Sequence, residues 1–200
     1  MSDVLVLQRR KPLVLADLIP GALVRDVLLV VGAACLVGLA AQVSVHLSFT
    51  PVPITGQTFA VLLCGTALGF RRGVAAMVLY AAAGVAGVPW FADHAYGYVG
   101  ASFGYIVGFV LCGGLCGYLA QRGADRSILK SVPAMVAGEI VIYLLGVTWL
   151  ALSLHVGAPE AISLGFVPFV AGDAIKAALA ALLLPGAWKV TGAERGRHPR

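Results

Sequence analysis

Apolar residues run along this chain in long blocks, and the breaks between them are short and either charged or rich in proline. A membrane-spanning helix needs roughly 20 consecutive, mostly apolar residues. Residues 26–45 form the first such block. HLSFTPVPITGQT then interrupts it, with Pro51 and Pro53 forcing non-helical backbone. Residues 59–70 and 74–88 are each shorter than a full span and flank Arg71, Arg72 and Gly73. An arginine pair does not sit in hydrocarbon, so the economical reading is two short or tilted spans joined there by a tight turn. Residues 97–119, 132–154 and 166–190 supply the fourth, fifth and sixth spans, and 46–57, 89–99 and 155–165 are the irregular connections. The pattern predicts an all-α fold, an integral membrane bundle of six transmembrane helices. It reads as one domain over residues 25–190, after an N-terminal cytoplasmic or interfacial segment (1–24) and before a cytoplasmic tail (191–200).

Composition agrees. Sixty per cent of residues are apolar and 12% are charged, against about 25% charged in soluble domains, so the lipid bilayer is the solvent the surface fits. The 25 glycines suit close helix packing in lipid. A net charge of +5 would suggest nucleic acid were it not for its placement. Arg9, Arg10, Lys11 and Arg25 precede the first span, and Arg71 and Arg72 separate the second from the third. Arg122, Arg126 and Lys130 separate the fourth from the fifth, and Lys189, Arg195, Arg197 and Arg200 close the chain. The remaining basic residue, Lys176, lies within a span, and the three connections on the other side hold none. That is the positive-inside pattern with both termini in the cytoplasm. It turns the charge into a topology signal and removes nucleic acid as a partner. The stretch 13–24, broken by Asp17 and Pro20, is no signal-peptide core and is expected to stay on the protein along the interface.

Ionisable groups inside spans carry the next clue, because they usually face a partner or a cavity. Asp173 and Lys176, three apart on the sixth span, share a helix face in its outer half. Two readings stand: an ion pair that only neutralises itself, or a polar clamp at the mouth of a pocket. Glu139 lies nearer the cytoplasmic end of the fifth span and is not taken as a ligand residue. Gln57 follows the proline-rich connection and extends the pocket rim. Trp90, Phe91, Tyr96, Tyr98 and Tyr105 gather on the same side, as an interfacial belt or as a lid over an apolar ligand. Ala34 and Gly38 form a small-residue stripe that serves either helix packing or a docking partner. The cysteines (Cys35, Cys64, Cys112, Cys116) all lie in apolar stretches without zinc-site spacing and read as packing residues. No metal or cofactor is expected.

PVPITGQTFAVLLCGTALGFRRG at 51–73, LYAAAGVAGVPWFA at 79–92, GYIVGF at 104–109, IYLLGVTWLA at 142–151 and PFVAGDAIKAALAA at 168–181 occur in this order and spacing. Over residues 25–190 the chain resembles the BioY family, the biotin-specific S components of energy-coupling factor (ECF) transporters. One departure is GASF at 100–103, where the family commonly has a Gly-Pro-Thr-Gly-like approach. The resemblance implies biotin capture and uptake across a bacterial cytoplasmic membrane. It implies Asp173 and Lys176, at the family's G-D-x-x-K positions, as ligand residues, with Gln57, Trp90, Tyr105 and Tyr143 completing the substrate-binding set. It also makes the Ala34–Gly38 stripe the surface that meets a transmembrane coupling subunit. The chain has no P-loop, so ATPase subunits would complete the transporter. A stand-alone or oligomeric biotin facilitator, or an S component for another small vitamin, are the alternatives. His46, His94, His155 and His198 are scattered, with no nucleophile–base or metal arrangement, and the chain is not expected to be an enzyme.

Overall fold

The computed structural model describes residues 14–21 and 23–191. The rest of the predicted N-terminal segment and the tail beyond Thr191 lie outside the described residues. The predicted blocks become helices α1 (Leu23–Ala41), α2 (Gln57–Leu68), α3 (Phe70–Val85), α4 (Phe103–Gln121), α5 (Ile128–Leu154) and α7 (Val170–Val190). Among the described residues, four helical segments are long and apolar enough to cross a membrane: Leu23–Ala41, Gly100–Gln121, Ile128–Leu154 and Val170–Val190. The α2 helix is apolar but only 12 residues long, and α3 has 16.

Four details depart from the sequence-based expectation. First, α1 stops at Ala41, short of residue 45, because Ser44–Val45 (β1) pairs antiparallel with Ile54–Thr55 (β2). The ribbon folds the proline-rich segment into a hairpin that supplies the ladder hydrogen bonds a proline-interrupted helix would lack. Second, the connection predicted at 155–165 is not wholly irregular. It holds α6 (Ala158–Gly165), which starts on Gly157 with Pro159 in its first turn, where a missing N–H costs nothing.

Third, the break between α2 and α3 is at Gly69 rather than at Arg71-Arg72-Gly73. Gly69 has φ +82°, a left-handed value that suits glycine. It also lets α4 come in: a Cβ on Gly117 would lie 2.4 Å from the Gly69 carbonyl carbon and 2.6 Å from the Phe70 nitrogen. Arg71 and Arg72 therefore sit in the first turn of α3, and Arg72 reaches Asp26 at 3.2 Å and Asp17 at 2.5 Å. The second pairing ties the Leu15–Leu18 3-10 turn to the bundle, where Val14 and Ala16 are buried.

Fourth, the small-residue stripe of α1 faces inward. Ala34, Val37, Gly38 and Ala41 are buried, and a Cβ on Gly38 would sit 3.2 Å from Trp90 Cβ. Ala34 and Gly38, the residues expected to meet a coupling subunit, are covered within the described chain, and Gly38 must be small because the Trp90 ring lies on it. The exposed side of α1 carries Leu28, Val31, Leu36 and Leu39 instead. At the opposite end of the bundle from the ribbon, the turn Ala124–Arg126 meets the end of α7, where buried Trp188 donates its indole N–H to Asp125 at 2.5 Å. Cys64, Cys112 and Cys116 are buried and form no disulfide, as packing residues would be.

Candidate ligand-binding site

The first turns of α2, α4 and α7 converge at the ribbon end of the bundle and leave a cavity of about 220 Å³. By the measure in which one water needs about 10–15 Å³, that is room for a small organic molecule. The proline-rich connection contributes Pro51, Val52, Pro53 and Thr55. The α4 helix adds Tyr105, Ile106 and Phe109, and α5 adds Ile142 and Tyr143. Phe169 and Phe91 complete an apolar and aromatic wall.

Polar groups gather on one side of this wall. Asp173 is 3% exposed, in the first turn of α7. Its Oδ1 accepts from Lys176 Nζ at 2.7 Å and from the Thr58 hydroxyl at 3.0 Å. Its Oδ2 accepts from the Tyr143 hydroxyl on α5. An ionised carboxylate offers about four lone-pair sites, so room remains for roughly one more donor. Lys176 Nζ also donates to the Thr55 carbonyl at 2.6 Å and to Thr58 Oγ1 at 3.2 Å. An ammonium has three N–H groups, and all three are engaged. A ligand oxygen that reaches Lys176 must replace one of them. The pair is thus part of a four-residue network on the cavity wall, and Lys176 is held by backbone and hydroxyl groups as well as by its ion-pair partner.

The other predicted residues divide. Gln57 lines the cavity at the start of α2, where its amide donates to Tyr80 Oη at 2.6 Å and accepts from Thr55 Oγ1 at 2.9 Å. Tyr105 lines it too, its hydroxyl bonded to the Gly165 carbonyl at 2.6 Å. Tyr143 stands edge-on to Phe166 at 4.9 Å and to Tyr105 at 6.5 Å. Trp90 is not among the lining residues. Its indole donates to the Tyr80 carbonyl at 3.0 Å while the ring covers Gly38, and Gln42 Nε2 bonds both the Trp90 and Phe91 carbonyls at 3.1 Å. The ring that this loop turns to the cavity is Phe91. Tyr96 and Tyr98 are exposed and outside the lining, as an interfacial belt would have them.

Sequence reasoning did not single out Thr55, Thr58, His46 or Asp93. His46 and Asp93 line the cavity mouth and pair at 2.8 Å, and Ser44 donates to Asp93 at 2.6 Å. Thr58 had one visible signal, a hydroxyl beside Gln57 just after the prolines. The His46–Asp93 pairing had none, because it joins two loops 47 positions apart by number.

With this geometry in hand, the chain was compared with known proteins. The model of the BioY family matches residues 9–193, beyond the 25–190 expected from the motifs. "Biotin transporter BioY" of Thermotoga maritima is 39% identical over 151 residues, 74% of this chain and 86% of that protein. "Probable biotin transporter BioY" of Pyrococcus horikoshii is 36% identical, with coverage of 80% and 93%. "Biotin transporter BioY" of Rhizobium etli is 33% identical, with coverage of 76% and 86%. A crystal structure described as the S-component for biotin from an ECF-type ABC transporter superposes with a TM-score of 0.76 over 83% of this chain and 92% of that one. At 21% identity it speaks for the fold.

Proposed function

The chain belongs to the BioY family, and from that premise we propose that it takes up biotin, serving as the substrate-capturing S component of an ECF transporter. The names of its relatives support the substrate. The observation that carries the site is the Asp173–Lys176–Thr58–Tyr143 network on the wall of an otherwise apolar cavity. Biotin matches that division. Its fused rings and methylene tail are apolar, while its ureido group presents two N–H donors and one carbonyl acceptor. Asp173 takes a ureido N–H with its remaining lone pair, and Lys176 exchanges one of its present acceptors for a ligand oxygen. Phe91, Tyr105, Tyr143 and Phe169 pack on the rings.

In this reading residues 25–190 are the membrane domain, six spans in a bacterial cytoplasmic membrane with both termini inside. The confinement of every basic residue but Lys176 to the tails, the alternate connections and the helix ends beside them supports it. The cavity then opens outward, at the end carrying the ribbon and the second outer connection. No ATP-binding loop is present in the sequence, so energy enters through separate ATPase subunits and a coupling subunit, and the chain performs no chemistry on its ligand.

Equilibrium binding of labelled biotin to the purified chain tests this, with Asp173→Asn and Lys176→Ala alongside. Tight binding by wild type, weakened in both variants, is expected. Tight binding unchanged in both would move the site elsewhere, and no binding by folded wild type would remove biotin as the ligand.

A further inference from the structure

Glu139 is the third ionisable residue at the seam of α5 and α7, one helical turn before Tyr143. Asp173 and Lys176 beside it are both held in hydrogen bonds, as described above, but its own Oε1 is buried with no hydrogen-bond partner among the described residues. It lines a groove of about 370 Å³ bounded by the exposed apolar side chains of Val132, Val136, Ile140 and Val170. Among the described residues, Tyr143 alone lines both this groove and the ligand cavity.

The charges around Glu139 are few. From α7, Asp173 and Lys176 act on it by Coulomb interaction. From α4 come Cys112 and Cys116, whose sulfurs lie against the adjoining Gly138. The α2 helix carries no charged residue and brings Leu62 to the same place. Asp125 and Arg126, packed near the start of α5, pair with each other at 3.2 Å, and Glu160 is exposed on α6. Asp173 and Lys176 cancel, so an ionised Glu139 leaves the seam with one net negative charge against apolar surface. That is unfavourable by itself, and it opposes the entry of a ligand that carries a carboxylate.

We propose that Glu139 is a proton-binding site whose occupancy is linked to capture of the anionic ligand. The inference rests on the biotin reading above. Biotin arrives with its tail ionised, since an ordinary carboxyl titrates near pH 4–5, as glutamate does at about 4.3. One proton from the outer solution forms an O–H bond on the Glu139 carboxylate as the anion enters. Seam and ligand together then hold one negative charge instead of two. By linkage, affinity is greatest at low pH, where Glu139 already carries its proton, and falls as pH rises and the proton must be acquired on binding.

Biotin Kd measured from about pH 5.5 to pH 8.5 tests this, on wild type, Glu139→Gln and His46→Gln, the last because the His46 imidazole lies at the cavity mouth paired with Asp93. Repulsion between two charges in a partly buried site is of the size that changes affinity about tenfold. Wild type and His46→Gln are expected to weaken by about that factor across the range. Glu139→Gln is expected to hold the low-pH affinity throughout, and biotinamide, with its uncharged tail, to bind wild type with little pH dependence. Calorimetry in buffers of different ionisation enthalpy, on wild type alone, should register proton uptake with biotin. A flat wild-type profile with no proton uptake overturns the inference while leaving the biotin reading intact. A slope that survives in Glu139→Gln overturns it in the same way. Absence of biotin binding at every pH overturns both.

Discussion

Tyr143 on α5 donates its hydroxyl to Asp173 on α7, and this bond between residues 30 apart in sequence aims the carboxylate on the cavity wall. Thr58 and Lys176 take one oxygen of Asp173, and Tyr143 takes the other. The Tyr143 ring is itself fixed edge-on between Tyr105 and Phe166. Carboxylate and aromatic wall therefore move together, so displacement of α5 against α7 disturbs hydrogen bonding and ring contacts at once.

Tyr143→Phe keeps the ring and removes that donor. A hydrogen bond to a charged group contributes about 1.5–3 kcal/mol, so biotin affinity should fall roughly tenfold or more while the folded chain survives. Equilibrium binding and thermal unfolding in detergent check this. A combined Tyr143→Phe, Asp173→Asn variant should lose much less than the sum of the two, because both act on one carboxylate. Additive losses would separate Tyr143 from Asp173.

The long apolar helices were legible because such runs leave little alternative to helix in lipid. Asp173 and Lys176 were legible because charge inside such a run needs a reason. Trp90, expected in the ligand site, and Gly38, expected at a docking surface, instead pack on each other from the connection 89–99 and α1. A small-residue stripe looks the same whether it receives a partner helix or an indole. The α6 helix was read as irregular because eight residues with a proline look like a loop, although Gly157 and Pro159 mark a helix start. Thr55 and Thr58 were passed over because hydroxyls at the head of a helix are common, and nothing local shows that Lys176 reaches them across the bundle.

Gly117→Ala should destabilise the bundle sharply. The added Cβ would fall 2.4–2.7 Å from Gly69 and Phe70 backbone atoms, which cannot rotate away. Overpacking of this kind costs about 1–3 kcal/mol or more. Gly186→Ala meets nothing within 4 Å, so it should be neutral or slightly stabilising, since alanine favours helix by up to about 1 kcal/mol. Unfolding midpoints of the two variants in the same detergent make the comparison. Equal midpoints would contradict the close α2–α3–α4 contact.

His46 and Asp93 link the connections 46–57 and 89–99 across the cavity mouth, and both are substantially exposed. An exposed pair contributes about 0–1 kcal/mol, so His46→Ala and Asp93→Asn should change biotin affinity by no more than about fivefold. Because the pair bridges the two loops over the entrance, the expected effect lies in kinetics, with both variants exchanging bound ligand faster than wild type. Stopped-flow displacement of labelled biotin reads this directly. Unchanged dissociation in both would mean that the loops part without breaking this contact.

The clasp at the other end gives a stability prediction with a defined sign. Asp125 is fully buried, and burial raises its carboxyl above the ordinary 3.8, although the indole N–H of Trp188 and the Arg126 guanidinium pull it down. A raised folded-state value means that the folded chain binds this proton more tightly than the unfolded chain does. The resulting stabilisation is complete below pH 3.8 and fades as pH rises through the folded-state value. Trp188→Phe keeps a ring beneath Arg126, which lies 3.3 Å from the indole centroid, but deletes the N–H donor to Asp125. At neutral pH the variant should lose about 1.5–3 kcal/mol, because a buried carboxylate loses a hydrogen bond. It should recover part of that loss on acidification, since a protonated Asp125 needs the donor less. Asp125→Asn should abolish this group's pH dependence in either background. Chemical denaturation in detergent between about pH 4 and pH 7 measures all four chains. A Trp188→Phe deficit that stays constant across that range would show that the indole contributes packing alone, with no electrostatic link to Asp125.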